Sequence, residues 1–442
     1  MMRVELGLDA AERKQGRSVP VAWDTSRLIN GHMLLVGKSG TGKTHTLRSI
    51  VSQLERQAGG KLRVHVIDSH GDIEIPGASS VKFSESTRWG FNPLEIDPDP
   101  DFGGIRKRIQ FVVSAINRTS RQLGTKQEPV LRAIITDIYS ANGFYEDRPE
   151  TWTAEGLTRR GQQKRNPTLE DAARFARHKL KAIFAGTDSR SVQALDALSK
   201  KVQAKDAKER RLGKSADDEE IAKLQDEIAK LGEEAIDLFS THVREMRNGR
   251  EFDDLMRYDS RDVLKSVLER LENLQATGIF KSEPPPFDSS AAVWRYDIRA
   301  LSSDERKLFV QFALERIFRD SVKRGLQQGG LREIIVLDEA HHYLSDDPEN
   351  IVNVIAKEAR KFGVGLFCAS QSPTHFSDDF ISNVGTKVVL GLDEMFWEGA
   401  QRKMRLDRKA LEWIVPRRSL IAQMSNAGEA RSSFSWVLLP RQ

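Results

Sequence analysis

Residues 33–44 constrain this chain more than any other segment: an apolar run of Met33, Leu34, Leu35 and Val36 leads into G-x-x-x-x-G-K-T from Gly37 to Thr44. Glycines at that spacing turn successive backbone N–H groups toward a polyphosphate, so Gly37, Ser39, Gly40, Thr41, Gly42, Lys43, Thr44 and the adjoining His45 are the candidate nucleotide-binding residues. Lys43 supplies a charge for the β- and γ-phosphates, and Thr44 offers a hydroxyl to Mg²⁺. Behind the loop, Leu47, Ile50, Val51 and Leu54 recur at helical spacing, giving the strand–loop–helix context that a phosphate-binding loop requires. The segment predicts hydrolysis of a nucleoside triphosphate.

The 442 residues allow one large α/β domain with insertions, or two to three smaller domains. Hydrophobic residues at 39% and charged residues at 30% suit a soluble globular chain with charged helices. No apolar run approaches the roughly 18–20 residues of a membrane span, and no signal-like stretch opens the sequence, so no membrane contact and a cytoplasmic location are expected. The single cysteine, Cys368, excludes an internal disulfide and a cysteine-based zinc site; packing within a strand is its expected place. A net charge of +5 permits nucleic-acid binding without requiring it.

A phosphate-binding loop needs a carboxylate to organise Mg²⁺ and a base for the attacking water, normally at the end of another parallel strand. Ile334, Ile335, Val336 and Leu337 followed by Asp338 and Glu339 have that form. Asp338 would hold the Mg²⁺ water shell with Thr44, and Glu339 would orient or deprotonate the hydrolytic water. Paired acids suit hydrolysis better than kinase chemistry. A third buried-strand pattern, residues 364–369, ends in Ser370 and Gln371; Gln371 either bonds the γ-phosphate and the water or caps the strand. Between them, residues 348–362 read as a helix carrying Arg360, a candidate arginine finger. Spacing leaves open whether Arg360 serves its own site, a neighbour's, or a surface ion pair. His70, His341 and His342 have no zinc-ligand spacing, and no transition metal is expected.

Several segments in order resemble the HerA/FtsK superfamily of ring-forming, DNA-pumping P-loop ATPases, and within it the HerA-like branch. Asn30, Gly31 and His32 precede the loop strand. After a strand over residues 63–67, Asp68-Ser69-His70-Gly71-Asp72 reads as a polar loop and is similar to D-x-H-G-E, and Leu337-Asp338-Glu339-Ala340-His341 is similar to the branch's acidic strand end. Glu358-Ala359-Arg360-Lys361-Phe362-Gly363 resembles E-G-R-K-x-G, and Ser370-Gln371-Ser372-Pro373 resembles S-Q-R-P. Asp72, Ala359 and Ser372 depart from those patterns. Residues 91–94 and the stretch from Leu123 also look like the conjugative-secretion ATPases of the superfamily. The likeness covers roughly residues 20–97 and 290–440. It implies ATP and Mg²⁺ as cofactors, a homo-oligomer of six subunits, duplex DNA in the pore, and a separate nuclease or anti-phage effector subunit.

The fold class expected is α/β, a RecA-like, mostly parallel sheet flanked by helices with a large helical insertion. Residues 1–30 would give short N-terminal strands, 31–100 and 288–442 the ATPase core, and 101–287 the insertion. Within it, Leu195, Leu198, Val202 and Leu212 face Ile221, Leu224, Ile228 and Leu231 across a turn near residues 213–217, predicting an antiparallel helical hairpin near 191–240. Thr168 reads as a helix N-cap. Basic clusters at Arg106-Lys107-Arg108, Arg159-Arg160 with Lys164-Arg165, Arg402-Lys403 with Arg405, and Arg417-Arg418 are solvated faces or phosphate contacts in a pore. The reading is an ATP-dependent DNA-translocating ring ATPase. Its rivals are a secretion-type ATPase that moves protein and a nucleotide-gated scaffold for a partner enzyme.

Overall fold

Strands that are apolar along nearly their whole length need cover on both faces. Met33–Val36 (β3), Glu333–Leu337 (β7) and Val364–Ser370 (β8) are buried throughout and sit in the middle of one sheet. The computed structural model describes residues 2–119, 122–158, 161–185, 189–213, 218–244, 256–327, 329–345, 347–429 and 432–440. Arg159, Arg160 and the expected turn at 214–217 lie outside the described residues. Chain contacts separate two compact units, residues 1–91 with 278–442, and residues 92–277.

The first unit holds an 11-stranded sheet. Its other strands are Arg3–Asp9 (β1), Pro20–Asp24 (β2), Arg63–Asp68 (β4), Ser79–Lys82 (β5), Val293–Asp297 (β6), Thr386–Val389 (β9), Ser419–Met424 (β10) and Phe434–Leu438 (β11). The order is β2-β1-β11-β10-β9-β3-β8-β7-β4-β6-β5. From β9 to β5 every pairing is parallel, and from β9 to β2 every pairing is antiparallel. The mostly parallel α/β sheet expected from the sequence is therefore present. The parallel strands all end at one edge, which gathers the loops after β3, β4, β7, β8 and β9, the place where open α/β sheets bind ligands.

The helix Lys43–Gln57 starts from Gly42, whose φ of 101° is a left-handed value that favours glycine. Its stripe of Leu47, Ile50, Val51 and Leu54 is buried against Val4, Leu6, Met33, Leu35, Val64 and Val66. Trp23 of β2 meets Phe367 of β8 edge to face at 5.5 Å, which ties the N-terminal hairpin into the same core.

Two local expectations shift. Asp68, read as the start of a polar loop, is the fully buried last residue of β4. Arg295 of β6 donates to its carboxylate through Nε at 2.9 Å and Nη2 at 2.7 Å, while Gly71 and Ile73 N–H donate at 2.7 and 3.0 Å. The helix expected over 348–362 runs as Ile351–Glu358 and then tightens to a 3₁₀ turn, Ala359–Phe362, closed by Gly363 at φ 74°.

The second unit is helical. Thr168 and Asp171 cap the helix Leu169–Ala185 reciprocally: Asp171 N donates to Thr168 Oγ1 at 3.3 Å and Thr168 N to Asp171 Oδ2 at 2.9 Å. Helices Ser189–Leu212 and Asp218–Arg244 pack together, with ion pairs Lys201–Glu234 and Lys208–Glu227 whose numbering runs in opposite senses, so the two helices are antiparallel. Among the described residues no helix is long and apolar enough to cross a membrane.

Candidate nucleotide site

The loop after β3 is held from both neighbouring strands. Gly37 N–H donates to Ser370 O of β8 at 3.1 Å, and Lys38 N–H to Gly391 O beyond β9 at 2.8 Å. A Cβ on Gly37 would lie 2.6 Å from Thr41 Oγ1, so the first glycine is needed for close approach. Thr41 Oγ1 in turn donates to Lys38 O at 2.8 Å, closing the loop on itself. Ser39, Gly40 and Gly42 complete the curve. His45 is exposed and lines a cavity of about 560 Å³ with Gly7, Ser49, Gln53 and Leu439.

Lys43 is buried, and its Nζ donates to Gly37 O at 2.8 Å while lying 3.7 Å from Glu339 Oε1. The lysine thus spans the loop and the acidic strand end. Thr44 Oγ1 donates to Asp72 Oδ2 at 3.3 Å, and Arg48 donates to the Asp72 carbonyl, so the loop after β4 leans on the start of the helix.

Asp338 and Glu339 emerge from β7 beside these groups. Burial, and then the adjacent Glu339 charge, push the Asp338 carboxyl up to about 6. Glu339 N–H donates to Asp338 Oδ1 at 2.9 Å. Glu339 itself adopts a left-handed φ of 45°, a conformation that costs a non-glycine residue about 1 kcal/mol or more. Its Oε2 lies 3.2 Å from His341 Nδ1, yet without an aligned donor, and is a buried oxygen with no hydrogen-bond partner among the described residues. Two carboxylates side by side, one raised by burial and then by like charge and one carrying an orphaned oxygen, with the Thr44 hydroxyl at the same edge, fit a Mg²⁺ with its water shell.

Histidines cluster next to Glu339 with their rings tilted against one another. His341 lies 4.1 Å from His342 and 4.8 Å from His375, ring centre to ring centre. Ser370 Oγ at the end of β8 lies 3.0 Å from His375 Nδ1 and 3.3 Å from His341 Nδ1. Burial, and then His342, hold the His341 ring down at about 4, and burial lowers His375 too, so both rings are neutral near pH 7. Sequence reasoning missed His375 and Ser370 as neighbours of Glu339, because only the parallel pairing of β7 with β8 brings them there. Gln371 follows Ser370 at the same edge and is exposed.

Arg360 lies elsewhere. The 3₁₀ turn that carries it precedes β8, so it sits at the opposite edge of the sheet, and the length of β8 separates it from the loop by roughly 20 Å. There it lines a cavity of about 470 Å³ with Leu28, Asn30, Gly31, Gln327 and Leu331. The structure therefore brings together Lys43, Thr44, Asp338, Glu339 and Gln371, and leaves Arg360 away from the loop of its own chain.

The basic clusters are partly spent within the fold. Arg108 is buried and donates to Pro93 O at 2.6 Å, and Arg165 is bidentate to Asp171 at 2.9 Å through both nitrogens. Lys164 is buried over the Phe144 ring, and Lys403 pairs with Asp378 at 3.2 Å. Arg417 Nε donates to Gly40 O at 3.1 Å, a contact with no local signal in the sequence.

The family model described as helicase HerA, central domain, matches residues 11–317, which is more than half of the chain. Two proteins named DNA double-strand break repair helicase HerA are similar in part. The one from Pyrococcus furiosus is 39% identical over 61 residues, 13% of this chain and 11% of the relative. The one from Saccharolobus solfataricus is 35% identical over 101 residues, 21% of this chain and 20% of the relative. The matches thus span about a fifth or less of those relatives. Among solved structures, VirB4 of Thermoanaerobacter pseudethanolicus superposes with a TM-score of 0.58 at 15% identity, covering 99% of this chain and 96% of that one. The bacterial conjugative coupling protein TrwBdeltaN70 superposes with a TM-score of 0.51 at 11% identity, covering 100% and 94%. At those identities the likeness is one of fold.

Proposed function

The chain belongs to the family of the helicase HerA central domain, and from that premise we propose that it is an ATP- and Mg²⁺-dependent motor that moves duplex DNA through a ring of identical subunits. The observation that carries this reading is the split of the candidate residues between two sheet edges. Lys43, Thr44, Asp338 and Glu339 converge at one edge, and Arg360 stands at the other. An arginine so placed reaches a γ-phosphate only on a neighbouring subunit, which makes hydrolysis a property of the ring.

In each site the N–H groups of residues 37–42 and the Lys43 ammonium bind the polyphosphate. On ATP entry the γ-phosphate takes Lys43 away from Gly37 O and Glu339. Glu339, released from that contact, accepts the proton of the attacking water with its unpaired Oε2, and Gln371 donates to the γ-phosphate beside it. Asp338 and Thr44 would hold Mg²⁺, which when bound neutralises charge on the β- and γ-oxygens. Exposed Arg106, Arg402, Arg405 and Arg418 remain for phosphate contacts that are independent of base sequence. A separate nuclease or effector chain would supply any cutting or anti-phage chemistry.

The test is ATP hydrolysis by the full chain with and without duplex DNA, coupled to displacement of a triplex-forming strand. A motor shows stimulated hydrolysis and strand displacement, and Glu339→Gln loses both while still binding ATP. The second reading, a protein-moving ATPase, takes its support from the whole-chain overlap with VirB4. Hydrolysis indifferent to duplex DNA at all concentrations would favour it.

A further inference from the structure

Arg417 is a cation at the phosphate-binding loop that the nucleotide chemistry has not used. Arg417 comes from the turn before β10, 377 residues from its partner, and donates through Nε to the carbonyl of Gly40 at 3.1 Å. Its Cγ passes 3.8 Å from where a Cβ on Gly42 would stand, so the side chain lies along the loop's outer curve. The same segment walls the loop: the position of a Cβ on Gly391 is 3.4 Å from Thr41 Cγ2, 3.7 Å from Ile414 Cγ2 and 4.0 Å from Pro416 Cγ.

The turn is fixed on both sides of Arg417. Val415 O accepts from Arg418 and Ser419 N–H, each at 3.0 Å, and Val415 N–H donates to Ser419 Oγ at 2.8 Å. Leu439 N–H donates to Arg418 O at 2.9 Å, and Trp413 packs on Trp436 of β11 at 4.8 Å. Within this frame Arg417 takes a left-handed φ of 63°, a conformation glycine would adopt without strain. The fold therefore keeps an arginine where the backbone favours glycine. Among the described residues no carboxylate pairs with its guanidinium, whose two Nη groups are left for another acceptor.

Resting on the reading of this loop as a nucleotide site, we propose that Arg417 is a polyphosphate-binding residue supplied by the same chain. Its Nε braces the Gly40 carbonyl outward, which turns the N–H groups of Gly40 to Gly42 toward the ligand, and its Nη groups add positive charge at the mouth of the loop. Its role is distinct from that of Arg360. Arg417 acts on ADP and ATP alike within one subunit, whereas Arg360 acts on the transferring phosphoryl group across an interface.

Substitution can separate brace from charge. In Arg417→Gln the amide nitrogen stands where Nε stands, so the donor to Gly40 is kept and the charge is lost; Arg417→Gly removes both and relieves the backbone. ADP binding to the full chain, measured by calorimetry, should weaken about tenfold in Arg417→Gln, the scale of one charge-assisted hydrogen bond, and further in Arg417→Gly. The nucleotide-free melting temperature of Arg417→Gly should equal or exceed that of the unsubstituted chain. ADP affinity within about twofold of the unsubstituted chain in both variants overturns the role of Arg417. The unsubstituted chain and Lys43→Ala separate this from failure of the site reading. No ADP binding by the unsubstituted chain sinks both, whereas binding lost with Lys43→Ala but kept in both Arg417 variants sinks only the inference about Arg417.

Discussion

Glu339 is held in a posture that, in the proposed mechanism, nucleotide binding changes. Its backbone is left-handed, one carboxylate oxygen faces Lys43 at 3.7 Å, and the other lies 3.2 Å from His341 without a bond. His341 is the side chain best placed to limit where that carboxylate swings, and it rests against His375 and Ser370 at the end of β8. Acting through Glu339, it is a positioning residue. His341→Ala should lower kcat about tenfold with little change in the KM for ATP, whereas His341→Asn should recover part of the rate. Steady-state kinetics of the two variants check this, and a drop in KM-dependent binding alone would count against it. His32 gives a second residue-scale test. It is buried, its Nδ1 accepts the Leu366 N–H at 3.0 Å, and burial, then the Arg360 charge, hold its pKa at about 4. The folded-state value is depressed below the ordinary 6.5, so the unfolded chain takes up the proton first as pH falls. The stability His32 contributes is whole above about pH 6.5 and drains away toward about pH 4, a loss of about 3 kcal/mol across that window. Denaturant midpoints of His32→Asn should lack that portion of the acid sensitivity.

At the scale of elements, the strands were the most legible part of the chain. β3, β7 and β8 are buried on both faces, so apart from Glu333 at the start of β7 and Ser370 at the end of β8 their sequences are apolar runs that stand out without any knowledge of partners. The alternating β1 and β2 could be seen as strands, but not as the far edge of the same sheet, because β11 joins them across almost the whole chain. Asp68 misled for a physical reason. An aspartate at a strand end reads as solvated, and its burial depends on Arg295, 227 residues away. The carboxyl stays below the usual range because Arg295 and the N–H groups of Gly71 and Ile73 outweigh the cost of burial. Arg295→Ala would leave that charge unpaired in the core and should cost about 3–5 kcal/mol by chemical denaturation, more than Asp68→Asn, which removes the charge itself. A smaller cost for Arg295→Ala than for Asp68→Asn would show that the pair matters less than its hydrogen bonds. The residues of the site were visible as motifs, but their juxtaposition was not. That Arg360 lies at one edge and Arg417 at the other follows from the direction of β8 and the path into β10, neither of which is a local property.

At the scale of the whole molecule, the two edges of the sheet define the account. One edge carries a lysine, two acids and a glutamine, and the other an arginine beside a cavity. Several arginines remain on the surface for a polyanion, so if the proposed motor binds duplex DNA through them, its affinity for DNA should fall steeply with salt, by about a hundredfold or more between 50 and 200 mM if four or more phosphates are neutralised. Titration of hydrolysis against duplex DNA over that range measures it, and a flat response would point away from backbone contacts. The most direct test of hydrolysis between subunits is to mix two inactive chains, Arg360→Ala and Glu339→Gln, and measure ATP turnover. If Arg360 acts on a neighbour, some interfaces in a mixed ring pair an intact Glu339 with an intact Arg360, and turnover returns to a fraction set by the mixing ratio. No turnover at any ratio, from chains shown to mix, would contradict the account.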